Sequence, residues 1–270
     1  MLAAGSCGAW STCACIECAE GERGRGPLAC HDMNRAVADG SEPGDSFLRP
    51  SLLQRLTAAL FDTLTARREQ LALAAHRRRV LQHARGQVLD VGAGTAANVE
   101  HYPSSVDHVV LLDPHPGMLE RAAAKARRAP VSTSVRPGRA EQLPFDDGSF
   151  DTLVFTLCLC TVTDVPSALA EAARVLRHGG RLLVLEHVRS TDPVLARWQD
   201  RLAPLQRLLA QGCNPNRDTL GAIRTAGFDF EWLDQFDEPR MPAPILRPLL
   251  LGSARVRSTD AAITGRARNG

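Results

Sequence analysis

Gly92 and Gly94 lie in the run Asp90-Val91-Gly92-Ala93-Gly94-Thr95, which follows a short apolar stretch and opens into a helical one. Glycines at a strand-to-helix turn let the backbone approach a ligand closely, and the helix beyond offers N–H groups without helical partners. Two cofactor chemistries suit such a loop. Gly92-x-Gly94-x-x-Ala97 satisfies the permissive dinucleotide fingerprint, and Asp113, ending the next apolar run, stands where an acid would meet ribose hydroxyls. Asp90 argues the other way. A carboxylate two residues before the first glycine repels a pyrophosphate and suits a cofactor carrying an amino group and a sulfonium. Further reactive groups lie downstream: Cys158 and Cys160 alternate at the end of one apolar run, Glu186 and His187 end another, and Cys213-Asn214 follow. A histidine so placed can take a proton near neutral pH, whereas buried cysteines equally serve as small apolar side chains.

The elements that must position these groups are legible as alternating patterns. Residues 1–50 carry no apolar period and read as a disordered, Cys-rich extension. Within it Cys13-x-Cys15-x-x-Cys18 and Cys30-His31 have zinc donor types, but without paired CxxC knuckles the segment reads as binding no metal. From Ser51, a suitable N-cap, leucines recur at helical spacing through Leu64, and the pattern continues to a stop at Gly86. Strands are expected at Gln87–Val91, Val106–Leu112, Val131–Arg136, Phe150–Leu157 and Arg181–His187, with helices at Pro116–Arg128 and Val165–Leu176 between them. Asp164 caps the second helix and Gly179-Gly180 close it. This alternation implies βαβ units and a parallel sheet covered on both faces. Beyond His187 come a helical insertion (Pro193 to Gln211), a helix from Asn216 to Ala226, a strand from Phe228, and an edge strand near 244–251 whose prolines exclude a central place. The domain is expected over 51–253, with a flexible tail over 254–270.

The stretch Ala140-Glu141-Gln142-Leu143-Pro144-Phe145-Asp146-Asp147-Gly148-Ser149-Phe150-Asp151 and the later Val175-Leu176-Arg177-x-Gly179-Gly180-Arg181-Leu182 make the pattern specific. Over roughly 85–190 the chain resembles the class I S-adenosylmethionine-dependent methyltransferases of the methyltransferase type 11 kind. Gly94-Thr95-x-x-Asn98-x-x-x-Tyr102-Pro103, Leu159-Cys160-x-Val162, Glu186-His187-Val188, Trp198-Gln199 and Gly212-Cys213-Asn214 with Arg217 extend the likeness. Over about 60–250 they are similar to thiol S-methyltransferases and their bacterial relatives. Ala96 departs from the usual third glycine, and Arg139 stands where many type 11 enzymes carry an adenine-binding Asp.

The resemblance implies an α/β, doubly wound, mostly parallel seven-stranded sheet of Rossmann-like kind, with N-terminal helices and the helical insertion after strand five. It implies S-adenosylmethionine held by Gly92, Ala93 and Gly94 at its methionine part, Asp90 at its amino group, Asp113 at its ribose, and Pro114, Ala140 and Glu141 around adenine. Thr156 would approach the methyl group. Asn98, Tyr102, Cys158, Cys213 and Asn214 would meet the acceptor, and His187 with Glu186 would serve as acid–base residues. The favoured acceptor is a small-molecule thiol, with lipid amines or phenols and quinones behind it. An NAD(P)-dependent oxidoreductase and a non-catalytic cofactor-binding protein remain as readings of another class.

Bulk properties narrow the rest. In 270 residues the net charge is +2, with 44% hydrophobic and 23% charged residues, which gives no electrostatic case for a nucleic-acid partner. Arg77-Arg78-Arg79 and the arginines from 121 to 128 read as solvated helix faces. No apolar run is long enough for an integral membrane span and no secretory signal opens the chain, so a cytoplasmic enzyme is expected.

Overall fold

Along the central strands, successive apolar residues are divided between two cores, because strand side chains alternate in direction. Val88, Val109, Leu111, Val154, Leu183, Leu185, Leu249 and Leu251 belong to one cluster; Leu89, Val91, Leu112, Leu153, Phe155, Leu182, Val184 and Leu250 belong to the other. Each face of the sheet is therefore sealed by its own helices. The computed structural model describes residues 50–68, 72–210 and 212–257, all within one compact unit, Asp45–Gly270. The Cys-rich segment, with its excluded metal site, lies outside the described residues, as does most of the expected tail.

The strands are β1 (Gly86–Val91), β2 (Val106–Asp113), β3 (Ser132–Pro137), β4 (Phe150–Thr156), β5 (Leu176–His187), β6 (Phe228–Asp237) and β7 (Pro248–Val256). They form one seven-stranded sheet in the order β3-β2-β1-β4-β5-β7-β6, in which β7 alone runs against its neighbours. The chain winds outward from β1 to β3 and returns to β4 on the other side of β1. That reversal opens a crevice beyond the carboxyl ends of β1 and β4.

The helices are α1 (Leu52–Arg68), α2 (Ala74–Leu81), α3 (Pro116–Ala126), α4 (Val165–Val175), α5 (Pro193–Leu209) and α6 (Thr219–Thr225). Ser51 and Gln54 cap α1 reciprocally, each side chain accepting from the other's backbone N–H. Asp164 caps α4 by accepting from the Ser167 N–H, and Ala168, Leu169, Ala172 and Val175 face the sheet from a single side of that helix.

Several boundaries differ from those expected. β7 lies between β5 and β6, not at an edge; Pro248 is its first residue, where a missing N–H interrupts no ladder. The strand runs on through Val256 and Ala254 is fully buried, so the domain continues past 253. Gly179 and Gly180 lie within β5, which starts directly after α4, and Gly86 opens β1. Asp218, not Asn216, caps α6, accepting from the Gly221 N–H.

Candidate active site

The crevice holds a cleft of about 1140 Å³ lined by Gly92, Ala93, Gly94, Asp113, Pro114, Ala140, Glu141, Thr156, Cys158, Cys160, His187 and Cys213, among others. Clefts for a single small ligand run about 300–1,000 Å³, so there is room for a cofactor and an acceptor together. α1 contributes Leu60, Phe61 and Asp62, and α5 contributes Gln206 and Leu209, to the same walls.

The glycine loop is shaped by contacts below it. Gly92 (φ +69°), Gly94 (φ +55°) and Ala96 (φ +61°) take left-handed backbone conformations, and only at the third is a side chain present to oppose it. The N–H groups of Gly92 and Ala93 donate to the Leu112 carbonyl at 2.8 and 3.0 Å, which binds the loop to β2. A Cβ on Gly92 would meet the Cys158 side chain, its Cβ at 2.9 Å, whereas one on Gly94 would meet nothing within 4 Å. Gly94 thus presents bare backbone to the cleft. Gly92→Ala combines a left-handed alanine with overpacking against Cys158 and should lower stability by about 2–4 kcal/mol. A denaturant midpoint equal to that of wild type would contradict this packing.

Asp113 ends β2 on the cleft wall. Its Oδ2 accepts from the Gly94 N–H at 3.0 Å and its Oδ1 from the His115 N–H at 2.8 Å, so loop and carboxylate hold each other. Glu141, also on the wall, accepts from the Thr163 N–H at 2.9 Å and lies 3.5 Å from Arg139 Nε. Burial works against its charge, but these N–H donors and Arg139 outweigh it and hold its carboxyl below the usual range. Asp62 of α1 ties the loop from above, accepting from the Thr95 hydroxyl and from Arg121 Nε, the latter at 2.6 Å.

Three residues expected to touch ligands lie beneath the cleft. Asp90 is fully buried; its oxygens accept from Asn98 Nδ2 at 2.9 and 3.1 Å and from the Tyr102 hydroxyl at 2.9 Å. Asn98 and Tyr102, expected at the acceptor, are 2% and 5% exposed and off the cleft wall; they serve Asp90. Burial pushes the Asp90 carboxyl up to about 6, with Asn98 and Tyr102 resisting.

Arg77 is the reverse case. Read from sequence as part of a solvated cluster, it is 6% exposed, on the cleft wall, and its Nη1 donates to Asn98 Oδ1 and Thr156 Oγ1, each at 2.8 Å. The signal that finds it is its spacing: Leu73 precedes it by four residues and Leu81 follows by four, both fully buried.

At the end of β5 the two expected acid–base residues part. Glu186 is fully buried and accepts from the N–H groups of Cys158 and Leu159 at 2.8 Å and of Cys160 at 3.2 Å, pinning the turn after β4. It is absent from the cleft wall and so is a structural acceptor, not a catalytic one. His187, next in sequence, points the other way and lines the cleft. Cys160 and Cys213 line it too, their Sγ atoms 3.7 Å apart. Asn214 does not: it donates through N–H and Nδ2 to the Cys160 carbonyl at 2.8 and 3.3 Å, fastening the segment after α5 to the β4 turn. Buried Gln199 secures that segment, its Nε2 within 3.0–3.1 Å of the carbonyls of Val188, Pro215 and Ile245.

Comparisons with known proteins fit this geometry. The family model for a methyltransferase domain matches residues 89–184, from the glycine loop's strand into β5. Over 171 residues the chain is 33% identical to one thiol S-methyltransferase of Homo sapiens, covering 62% of this chain and 69% of that one. The chain belongs to the S-adenosylmethionine-dependent methyltransferases. A second human thiol S-methyltransferase is 32% identical with the same coverage. A ubiquinone/menaquinone biosynthesis C-methyltransferase of Vibrio vulnificus is 33% identical over 166 residues, covering 53% of this chain and 64% of that one. Among solved structures, an S-adenosylmethionine-dependent methyltransferase from Mesorhizobium loti superposes with a TM-score of 0.51 at 20% identity, covering 68% of this chain and 96% of that one. The methyltransferase uses S-adenosylmethionine, and its residues fit that cofactor: bare backbone at Gly94 faces the cleft beside a carboxylate, Asp113, already oriented by the loop. Among the described residues of the methyltransferase no helix is long and apolar enough to cross a membrane, and no cluster of three or more His, Cys, Asp or Glu could hold a metal ion.

Proposed function

We propose that this methyltransferase S-methylates small apolar thiols. Asp113 takes the ribose hydroxyls, Gly92, Ala93 and Gly94 face the methionine part, and Pro114, Ala140 and Glu141 border the adenine. When bound, S-adenosylmethionine supplies an electrophilic methyl group on a sulfonium. The chain's own contribution is alignment of acceptor and cofactor in the cleft, a kind of positioning that supplies about 7–11 kcal/mol in well-oriented reactions.

The observation that carries the thiol is the likeness to the human thiol S-methyltransferases. Two features of the cleft support it. With Glu186 withdrawn, β5 offers the acceptor His187 and no carboxylate, and a thiolate needs little base assistance. The wall thiols do not compete: burial raises the Cys158 thiol well above its ordinary range, and contact with Cys213 together with burial does the same for Cys160. Both stay protonated while an acceptor thiolate enters ionised. Leu60, Phe61, Leu209 and Leu246 give the carbon skeleton an apolar surround.

Methyl transfer from labelled S-adenosylmethionine to an arenethiol, a phenol, a quinol and an alkylamine tests the reading. The thiol should be methylated with kcat/KM rising as it ionises. His187→Gln should cost less than about tenfold for a thiol, against roughly 10²–10⁴ where a base must remove the acceptor's proton. Methylation of the quinol with none of the thiol would favour a C- or O-methyltransferase and overturn the proposal.

A further inference from the structure

Three hydrogen bonds fasten the segment after α5 to the turn after β4. The Asn214 N–H and Nδ2 both donate to the Cys160 carbonyl, at 2.8 and 3.3 Å, and Arg217 Nη1 donates to the Leu159 carbonyl. Each side is also held from behind. Glu186 accepts from the Cys160 N–H at 3.2 Å, and the Cys213 N–H donates to the Ala210 carbonyl at 3.0 Å. Between these ties stand the side chains of Cys160 and Cys213, their Sγ atoms 3.7 Å apart. Backbone on both sides therefore sets how closely the two thiols approach.

A disulfide bond would bring the sulfurs to about 2.05 Å, a closure that side-chain rotation supplies where the backbones are already joined. Both residues line the cleft, yet Cys160 is 1% and Cys213 6% exposed, so a small reagent entering the cleft reaches them and a protein does not. Cys158 is placed differently, packed against Gly92 beneath the glycine loop. Among the described residues no group of three or more His, Cys, Asp or Glu could hold a metal ion. The chemistry open to the pair is that of sulfur with sulfur.

We propose that Cys160 and Cys213 form a redox modification site, oxidised by small disulfides to a bridge that closes the acceptor side of the cleft. Cys213, the more exposed, attacks as a thiolate one sulfur of the reagent and releases the other half as a thiolate. Cys160 then gives up its proton and attacks Cys213 Sγ in that mixed disulfide, releasing the second half. The protein loses two hydrogens with their electrons, and the reagent becomes two thiols. Contact with Cys213, together with burial, holds the Cys160 thiol protonated, but its attack is intramolecular, which offsets a small thiolate fraction. The bridge ties the end of α5, with Gln206 and Leu209 of the cleft wall, to the turn that carries Thr161. Gly94 and Asp113 lie outside it, at the ends of β1 and β2.

The effect on turnover rests on the acceptor side assigned above; the bridge itself does not. Full-length reduced enzyme would be treated with dithiodipyridine, digested and mapped by mass spectrometry. A peptide pair joined through Cys160 and Cys213, lighter by two hydrogens than the separate peptides, is expected. Methylation of whichever acceptor in the panel above is turned over should fall by about 10–100-fold, the scale of a small misplacement at the reacting centre. Affinity for S-adenosylhomocysteine should not change, and dithiothreitol should restore the rate. Cys160→Ser should instead accumulate the mixed disulfide on Cys213, and Cys213→Ser should keep its own untreated rate. The mapping needs no variant, so it decides the bridge even if a serine disturbs the wall. Absence of the joined peptide while other cysteines are modified would overturn the proposal. So would a bridged enzyme at full rate, or an equal loss of rate in Cys213→Ser. If the reduced enzyme turns over no acceptor in the panel, the acceptor reading fails, and the bridge is still decided by mass.

Discussion

Asp113→Ala is expected to weaken S-adenosylhomocysteine binding by about 10²–10³-fold with little change in the unfolding midpoint. Hydrogen bonds to a charged group contribute about 1.5–3 kcal/mol each, and a ribose offers two hydroxyls to one carboxylate. The same substitution releases the Gly94 N–H, held at 3.0 Å, and the His115 N–H at the head of α3, held at 2.8 Å. The loop therefore loses its anchor on the cleft side while the Leu112 carbonyl keeps it attached to β2. Stability should change little because the two released N–H groups lie beside the cleft, where water can replace the carboxylate. Asp113→Asn keeps an acceptor without the charge and should fall between. Titration calorimetry with the homocysteine product reads the effect without any acceptor. An affinity for Asp113→Ala within a few-fold of wild type would sink the ribose assignment.

Glu186→Ala should act on stability, by about 3–5 kcal/mol. Three N–H groups, of Cys158, Leu159 and Cys160, lose together an acceptor that is fully buried. The turn they form carries two cleft thiols, so cofactor binding should fall secondarily, as the turn loosens. Chemical denaturation reads the main effect, and a loss under about 1 kcal/mol would mean that these N–H groups find other partners. The same residue makes stability depend on pH. Burial, resisted by those N–H donors, pushes the Glu186 carboxyl up to about 7 from an ordinary 4.5. The folded state therefore holds this proton more tightly than the unfolded chain does. Its contribution is fully present below pH 4.5 and is lost as pH rises through about 7. Asp90 titrates in the same sense through about 6, so the measurement is a difference. Between pH 4.5 and 7 the wild-type unfolding free energy should fall relative to that of Glu186→Gln, whose amide does not titrate. Parallel curves would contradict the shift.

Much of the architecture was legible because it depends on local patterns. The apolar runs and helical repeats placed β1, β2, β4 and the body of β5 within a residue or two at most ends, and Asp164 and Ser51 capped the helices expected of them. The parts that were misread depend on partners distant in sequence. Pro248 suggested an edge strand, yet as a first residue it allows β7 to pair on both sides with β5 and β6. Gly179-Gly180 looked like a helix stop because a glycine pair punctuates a helix more often than it starts a strand's approach.

The site divides along the same line. The place of the glycine loop, of Asp113 at the end of β2 and of Glu141 on the cleft wall was legible in the sequence, since a tight strand-to-helix turn needs glycine, and a strand end beyond it can place only a few residues at the crevice. Tertiary structure alone decided which polar groups face the cleft. Alternation along β5 says that Glu186 and His187 point to opposite sides of the strand, but not which side is the cleft; the turn after β4, packed against one side, claims Glu186 for its N–H groups and leaves His187 to the other. Asp90, Asn98 and Tyr102 satisfy one another because burial removes the water that would otherwise serve them. Arg77 faces inward because Leu73 and Leu81 set the phase of its helix, a fact that becomes decisive only when the sheet they pack against is in place.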